Sequence, residues 1–144
     1  MTQLRGTLTL INLMRAYAAE SQAWNRYTFY AAVAAREGLK QYEALFMETA
    51  DRQAEHAKCF FDLTQECLTG RKLALVERSC KCTVPFGSIL ETLKVVAGEH
   101  EDWTEAYPIF AEVTGSQGFP EMATAFKMLA LAEESHRQLY AKLS

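Results

Sequence analysis

Residues 46–63 read FMETADRQAEHAKCFFDL, and residues 126–143 read FKMLALAEESHRQLYAKL. Four residue types recur at a constant offset of 80 residues, matching Phe46, Ala50, His56 and Leu63 to Phe126, Ala130, His136 and Leu143. Each segment also carries a polar pair three residues apart, Gln53 with His56 and Glu133 with His136. Residues at i and i+3 share one face of a helix, so each pair can point in one direction. The repeat therefore predicts two related helices.

Apolar residues follow helical spacing in four segments, and no segment shows the alternation of a strand. Glycine and proline are scarce, at seven and three residues, and fall mainly between these segments. Four helices are predicted, at roughly 4–36, 40–69, 87–114 and 120–143. The predicted core stripe of the first helix is Leu10, Leu13, Tyr17, Trp24, Tyr27 and Ala31.

The lengths of the connections predict the topology. Short connections after the first and third helices make antiparallel neighbours of the helices that they join, whereas the segment at about 70–86 is long enough to cross a bundle. The predicted fold is thus all-α, a ferritin-like four-helix bundle of two antiparallel hairpins joined by a long crossover loop. At 144 residues, the chain is expected to form one domain, 1–144.

Composition is typical of a soluble globular protein. The chain is 49% hydrophobic and 23% charged, with a formal net charge of -3, so no nucleic-acid partner is expected. No stretch approaches the roughly 18 apolar residues of a membrane span. The N-terminus also lacks a signal-peptide pattern, which predicts a cytoplasmic location.

Cys80 and Cys82 are too close together for an ordinary zinc knuckle or an unstrained disulfide, and their role stays open.

Every predicted helix carries a residue of the metal-binding type on its apolar stripe. These residues are Glu20 on the first helix, Gln53 and His56 on the second, Glu99 and Asp102 on the third, and Glu133 and His136 on the fourth. A single acid on such a stripe ordinarily keeps its carboxylate in water. Several ionised carboxylates buried together are costly unless cations compensate them. Carboxylate with imidazole suits iron, and also manganese or zinc.

The charges at this predicted site match two divalent cations. Four carboxylates supply four negative charges, and Gln53 adds only a neutral amide oxygen, as a weak ligand or none. Tyr27 and Tyr107 follow Glu20 and Glu99 by one to two turns. Their hydroxyl groups could therefore hydrogen-bond the ligand carboxylates.

Motifs spread over nearly the whole chain resemble those of the rubrerythrin family. They are ESQAWNRY at 20–27, TA at 49–50 with EHA at 55–57, AGEHED at 97–102, YP at 107–108 and ExxH at 133–136. Rubrerythrins are ferritin-like, non-haem di-iron proteins that reduce hydrogen peroxide, often as dimers. The resemblance implies that the iron ligands are Glu20, His56, Glu99, Glu133 and His136. It also implies that Asp102 stands where the family has a carboxylate that exchanges with the second-helix histidine.

Three departures from the family pattern affect the expected function. Gln53 takes the place of a bridging glutamate, and Asp102 is one methylene shorter than the glutamate of the family. No rubredoxin-like CxxC pair is present, so the electrons would come from a separate donor such as a rubredoxin-like protein. We expect a homodimeric, peroxidase-type oxidoreductase that acts on hydrogen peroxide or O2. The alternatives are an iron-storage or sensing bundle, and an interaction bundle whose metal site has decayed.

Overall fold

The structure is a computed structural model that describes residues 6–68 and 88–143, without the side chains of 66–68, 90 and 97–102. Four helices are present in these ranges, α1 (Leu8–Arg36), α2 (Lys40–Leu68), α3 (Ile89–Ser116) and α4 (Pro120–Leu143). The described residues contain no strand, and none of their helices is long and apolar enough to cross a membrane. The all-α prediction is confirmed.

Two helix starts differ from the prediction, and both have a local cause. Gly6 has a φ of 81°, in the left-handed region, so α1 begins at Leu8 and not at residue 4. At α3, the Ser88 hydroxyl accepts the N–H of Glu91 at 3.4 Å, and the Glu91 carboxylate accepts the N–H of Ser88 at 2.8 Å. The Ser88 N–H bond holds the pKa of Glu91 below its ordinary value. This capping box sets the start of α3 at Ile89.

The turns of the two hairpins share one backbone conformation. Gly38 and Gly118 lie in the left-handed region, with φ values of 74° and 87°. The N–H after each glycine donates to a carbonyl five residues earlier, at 2.9 Å from Leu39 to Ala34 and at 3.1 Å from Phe119 to Thr114. Such a helix end favours glycine because a Cβ is strained in this region. The duplication predicted from the sequence therefore includes the turns.

Alanine substitutions at two glycines should have opposite effects on stability. Gly38→Ala is expected to lower the free energy of unfolding by about 1–2 kcal/mol, because its left-handed φ strains any Cβ. The added Cβ would meet nothing within 4 Å, so no packing offsets the strain. Gly115→Ala, inside α3, is expected to raise it by about 0.5–1 kcal/mol. Urea unfolding of both variants measures the two effects, and changes of the same sign would contradict this assignment.

The chain divides into two compact units, Leu10–Val84 and Met1–Thr9 with Pro85–Ser144. In the first unit, ring contacts join the two helices along their length. Phe46 lies 5.6 Å from Tyr30 and 6.2 Å from Tyr27 between ring centroids, and Phe61 lies 6.0 Å from Tyr17. Contacts further along α2 therefore involve residues earlier in α1. The two helices are therefore antiparallel, as predicted.

The second unit repeats this packing. Phe126 lies 6.0 Å from Tyr107 and 5.6 Å from Phe110 between ring centroids. Tyr107, Phe110 and Phe126 are the residues that follow Tyr27, Tyr30 and Phe46 at the offset of 80. The corresponding ring distances agree within 0.2 Å. The sequence repeat is thus a structural repeat of one helical hairpin.

Two aromatic residues correct the predicted core stripe of α1. Tyr17 is 42% exposed and Trp24 is 47% exposed, although both were expected in the core. At 100° per residue they lie roughly 40–60° to one side of Glu20. The buried face instead contains Leu13, Ala16, Glu20, Tyr27, Ala31 and Ala34. Helical spacing predicted the stripe, but it does not say which edge of the stripe faces solvent.

Candidate metal centre

The hairpin of α1 and α2 brings Glu20 and His56 together. Glu20 lies on the buried face of α1 and is 3% exposed, while the His56 side chain is 14% exposed. Nδ1 of His56 lies 3.7 Å from a carboxylate oxygen of Glu20. Atoms bound to one ion at about 2.0–2.2 Å lie roughly 3–4 Å apart. The separation of this pair therefore fits two ligands of a shared ion.

In the second unit, α4 buries a carboxylate and an imidazole on one face. Glu133 is 2% exposed and His136 is 8% exposed. They are three residues apart, and the buried residues Leu129 and Tyr140 continue the same face in both directions. Charged and polar groups at this depth need hydrogen-bond or charge partners. The sequence predicted that this pair points inward, and the burial of both side chains agrees with that prediction.

Gln53 is buried one turn before His56, and its amide nitrogen is unpaired. The residue is 1% exposed, and Nε2 finds no hydrogen-bond acceptor within the part of the chain that the structure describes. A buried donor without an acceptor costs about 1–3 kcal/mol. Because the described residues do not offset this cost, an acceptor outside them would suit the position.

The cations next to these positions are paired at the surface. Arg52 on α2 contacts Glu48 at 3.0 Å. Arg137 on α4 donates two hydrogen bonds to Glu134, at 2.8 Å and 2.6 Å. The bonds from Arg137 are the main reason why the pKa of Glu134 falls to about 2. Both guanidinium groups therefore compensate surface carboxylates beside the inward-facing positions.

A family model described as rubrerythrin matches residues 12–144 of the chain. The chain belongs to the rubrerythrin family. Rubrerythrin-1 of Clostridium acetobutylicum is 41% identical over 144 residues, covering 99% of this chain and 73% of that protein. The rubrerythrin of Clostridium perfringens is 37% identical over 144 residues, covering 100% of this chain and 73% of that protein.

Solved structures of nigerythrin show the same fold. The mixed-valence state matches with a TM-score of 0.80 and 27% identity, covering 98% of this chain and 70% of that one. The fully reduced, all-ferrous state matches with a TM-score of 0.79 and 25% identity, over the same shares of the two chains. The predicted ferritin-like four-helix bundle is thereby confirmed.

Membership of the rubrerythrin family implies non-haem iron, and the donors of this chain fit it. Glu20 and Glu133 offer buried carboxylates, and His56 and His136 offer imidazoles, which together suit iron. Gln53, at the position expected for a further carboxylate, has an Nε2 without an acceptor among the described residues. Family and fold therefore support a di-iron carboxylate protein.

Several residues of the predicted site lie outside the described side chains. Glu99 and Asp102 belong to α3, but only the backbone of that segment is described. Cys80 and Cys82 fall in residues 69–87, which are likewise outside the description. Cys59 is half-buried, and burial raises the pKa of its thiol. The ligand roles predicted for Glu99 and Asp102 stay predictions.

The sequence analysis missed the direct pairing of Glu20 with His56, although a signal for it was present. Both residues lie 18 positions from Gly38, one before it and one after it. Tyr30 and Phe46, which are in ring contact, both lie eight positions from the same glycine. In an antiparallel hairpin, residues at equal distances from the turn face each other. Counting from the turn glycine would have predicted the pair.

Proposed function

We propose that this protein reduces hydrogen peroxide to water, with electrons from a separate donor such as a rubredoxin-like protein. The reaction consumes two electrons and two protons for each peroxide, and two ferrous ions would supply the electrons. The proposed iron ligands are Glu20, His56, Glu99, Glu133 and His136, with Asp102 as a further carboxylate. The observation that carries the proposal is the pair of buried Glu20 and partly buried His56, 3.7 Å apart, in a chain of the rubrerythrin family.

Each hairpin also contains buried aromatic residues. Tyr27 is 1% exposed and Phe46 is fully buried, and their rings pack 6.2 Å apart in the same hairpin. Tyr107 is fully buried in the other hairpin. We assign to Tyr27 and Tyr107 a positioning role, in which their hydroxyl groups hydrogen-bond ligand carboxylates.

A second candidate function is iron storage or sensing without efficient turnover. The observation that favours it is Gln53, a buried neutral residue at the position of a bridging carboxylate. An amide binds a divalent cation more weakly than a carboxylate does, because it brings no negative charge. Under this alternative the ions are bound, but the pair is too loosely held for repeated reaction.

Metal content and peroxide consumption separate these candidates. We expect the protein, loaded with ferrous iron without oxygen, to hold two iron ions per chain and to consume about one peroxide per iron pair in a single turnover. Elemental analysis measures the iron, and rapid mixing of the reduced protein with peroxide measures the reaction. Bound iron without consumption would favour storage or sensing.

The control for this assay is His56→Ala, which removes one proposed ligand while leaving the exposed surface of α2 unchanged. This variant should bind less iron and consume less peroxide than the wild type. Failure of the wild type to bind iron, manganese or zinc would contradict both candidates.

We also propose a homodimer, which sedimentation equilibrium of the loaded protein tests.

A further inference from the structure

Gln53 combines two properties that a structural core residue rarely combines. It is 1% exposed, and its Nε2 donates to no acceptor within the residues that the structure describes. Buried side-chain donors in folded proteins are nearly always satisfied. An orphaned donor at this depth therefore indicates a partner outside the residues that the structure describes.

The described residues of the hairpin offer no acceptor to the Gln53 amide nitrogen. Gln53 lies 15 residues after Gly38, and the residue 15 before that glycine is Ala23. The antiparallel register therefore predicts an apolar residue of α1 opposite Gln53. One turn further along α2 is His56, so the amide lies beside the Glu20–His56 pair. The donor is placed at the proposed metal site and not at a separate polar cluster.

The internal repeat shows what the amide replaces. The residue that follows Gln53 at the offset of 80 is Glu133, a buried carboxylate. Gln in place of Glu removes one negative charge and replaces one of the two acceptor oxygens with an NH2 donor. A cationic site with one anionic ligand fewer has more affinity for an anion from solution. The N–H groups of the amide can then donate to that anion in a charge-assisted hydrogen bond.

We propose that Gln53 is an anion-binding residue, whose Nε2 donates a hydrogen bond to a small anion held at the metal site. The anion takes the place of the carboxylate that this position lacks. The ligand class is a small monovalent anion with an unhindered acceptor atom, such as azide or hydroperoxide. This inference rests on the proposed di-iron function. It adds that Gln53 determines which exogenous ligands the site accepts.

The test is an azide titration of the iron-loaded, oxidised protein, followed by calorimetry and by the change in visible absorption. Gln53→Met keeps the length and neutrality of the side chain but removes the donor, so the dissociation constant for azide should rise by about tenfold or more. Gln53→Glu should bind azide more weakly still, because it restores the negative charge. Gln41→Leu, an exposed glutamine near the start of α2, is the control and should bind azide like the wild type.

The iron content of each protein is measured in the same samples, which separates this inference from the proposed function. Equal azide affinity in iron-loaded wild type and Gln53→Met would overturn the anion-binding role and leave the di-iron function standing. If Gln53→Met fails to load iron, the azide affinity of Gln53→Glu is the deciding measurement. Azide binding by Gln53→Glu as tight as by the wild type would overturn the proposal. A wild-type protein without metal would overturn both.

Discussion

Iron-loaded protein should melt at a higher temperature than metal-free protein, and Glu133→Ala should remove most of this difference. Free iron at 100 times its dissociation constant stabilises the folded state by about 2.7 kcal/mol through mass action. In a chain of this size that corresponds to a shift of about 5–10 °C. Glu133 is 2% exposed on the inward face of α4, so its loss would take a charged ligand from the site. Differential scanning calorimetry of loaded and chelator-treated samples measures the shift.

The neighbouring residue supplies the control for this prediction. Glu134 is 32% exposed at its side chain and pairs with Arg137 at the surface, so Glu134→Gln should keep the full effect of iron on melting. A loss of the shift in Glu133→Ala alone would identify Glu133 as a ligand. If both variants respond to iron as the wild type does, Glu133 does not bind the metal.

Gln53→Glu should bind the second iron equivalent more tightly than the wild type. A bridging carboxylate contacts both ions and supplies a negative charge, whereas the amide offers one neutral oxygen. Altering even an outer partner of a metal ligand changes affinity by roughly 10- to 100-fold, and we expect at least this gain here. The added charge also stabilises the ferric state, so the reduction potential should fall. An iron titration by calorimetry and a redox titration measure the two effects.

Gln41→Glu adds the same charge at an exposed position of α2 and is the control for this variant. It should leave the iron affinity and the reduction potential close to those of the wild type, because solvent screens surface charge. If Gln53→Glu shows the same stoichiometry and potential as the wild type, Gln53 is irrelevant to the metal site. The proposed weakening of the centre would then be wrong.

The helices and the hairpins could be predicted from the sequence because their determinants are local. Apolar residues at helical spacing predicted all four helices, and the end of α1 at Arg36 and the start of α4 at Pro120 agree with the structure. The left-handed glycines Gly38 and Gly118 mark both turns. The start of α1 was predicted too early because apolar spacing alone does not register the backbone break at Gly6.

The site was predicted only in part. Residue type and spacing were enough to select Glu20, His56, Glu133 and His136. Carboxylates and imidazoles that recur on apolar stripes indicate a bound cation, because several buried carboxylates are costly without one. Their burial agrees with that choice, while their ligand roles stay predictions for the experiments above. Sequence spacing could not show that Glu20 and His56 approach within 3.7 Å, because this distance depends on how two helices align across a turn.

By itself, the sequence determined the duplicated hairpin and the residue types proposed for the metal site, and it has a glutamine where the family resemblance implies a bridging carboxylate. Only the tertiary structure decided that Tyr17 and Trp24 face solvent and that Glu20 and His56 are paired. It also decided that Nε2 of Gln53 is buried without an acceptor in the described part of the chain. Burial and hydrogen-bond satisfaction are set by residues distant in the chain. A local sequence pattern determines which face of a helix is apolar. The neighbouring helix that packs against this face determines which atoms each of its side chains contacts.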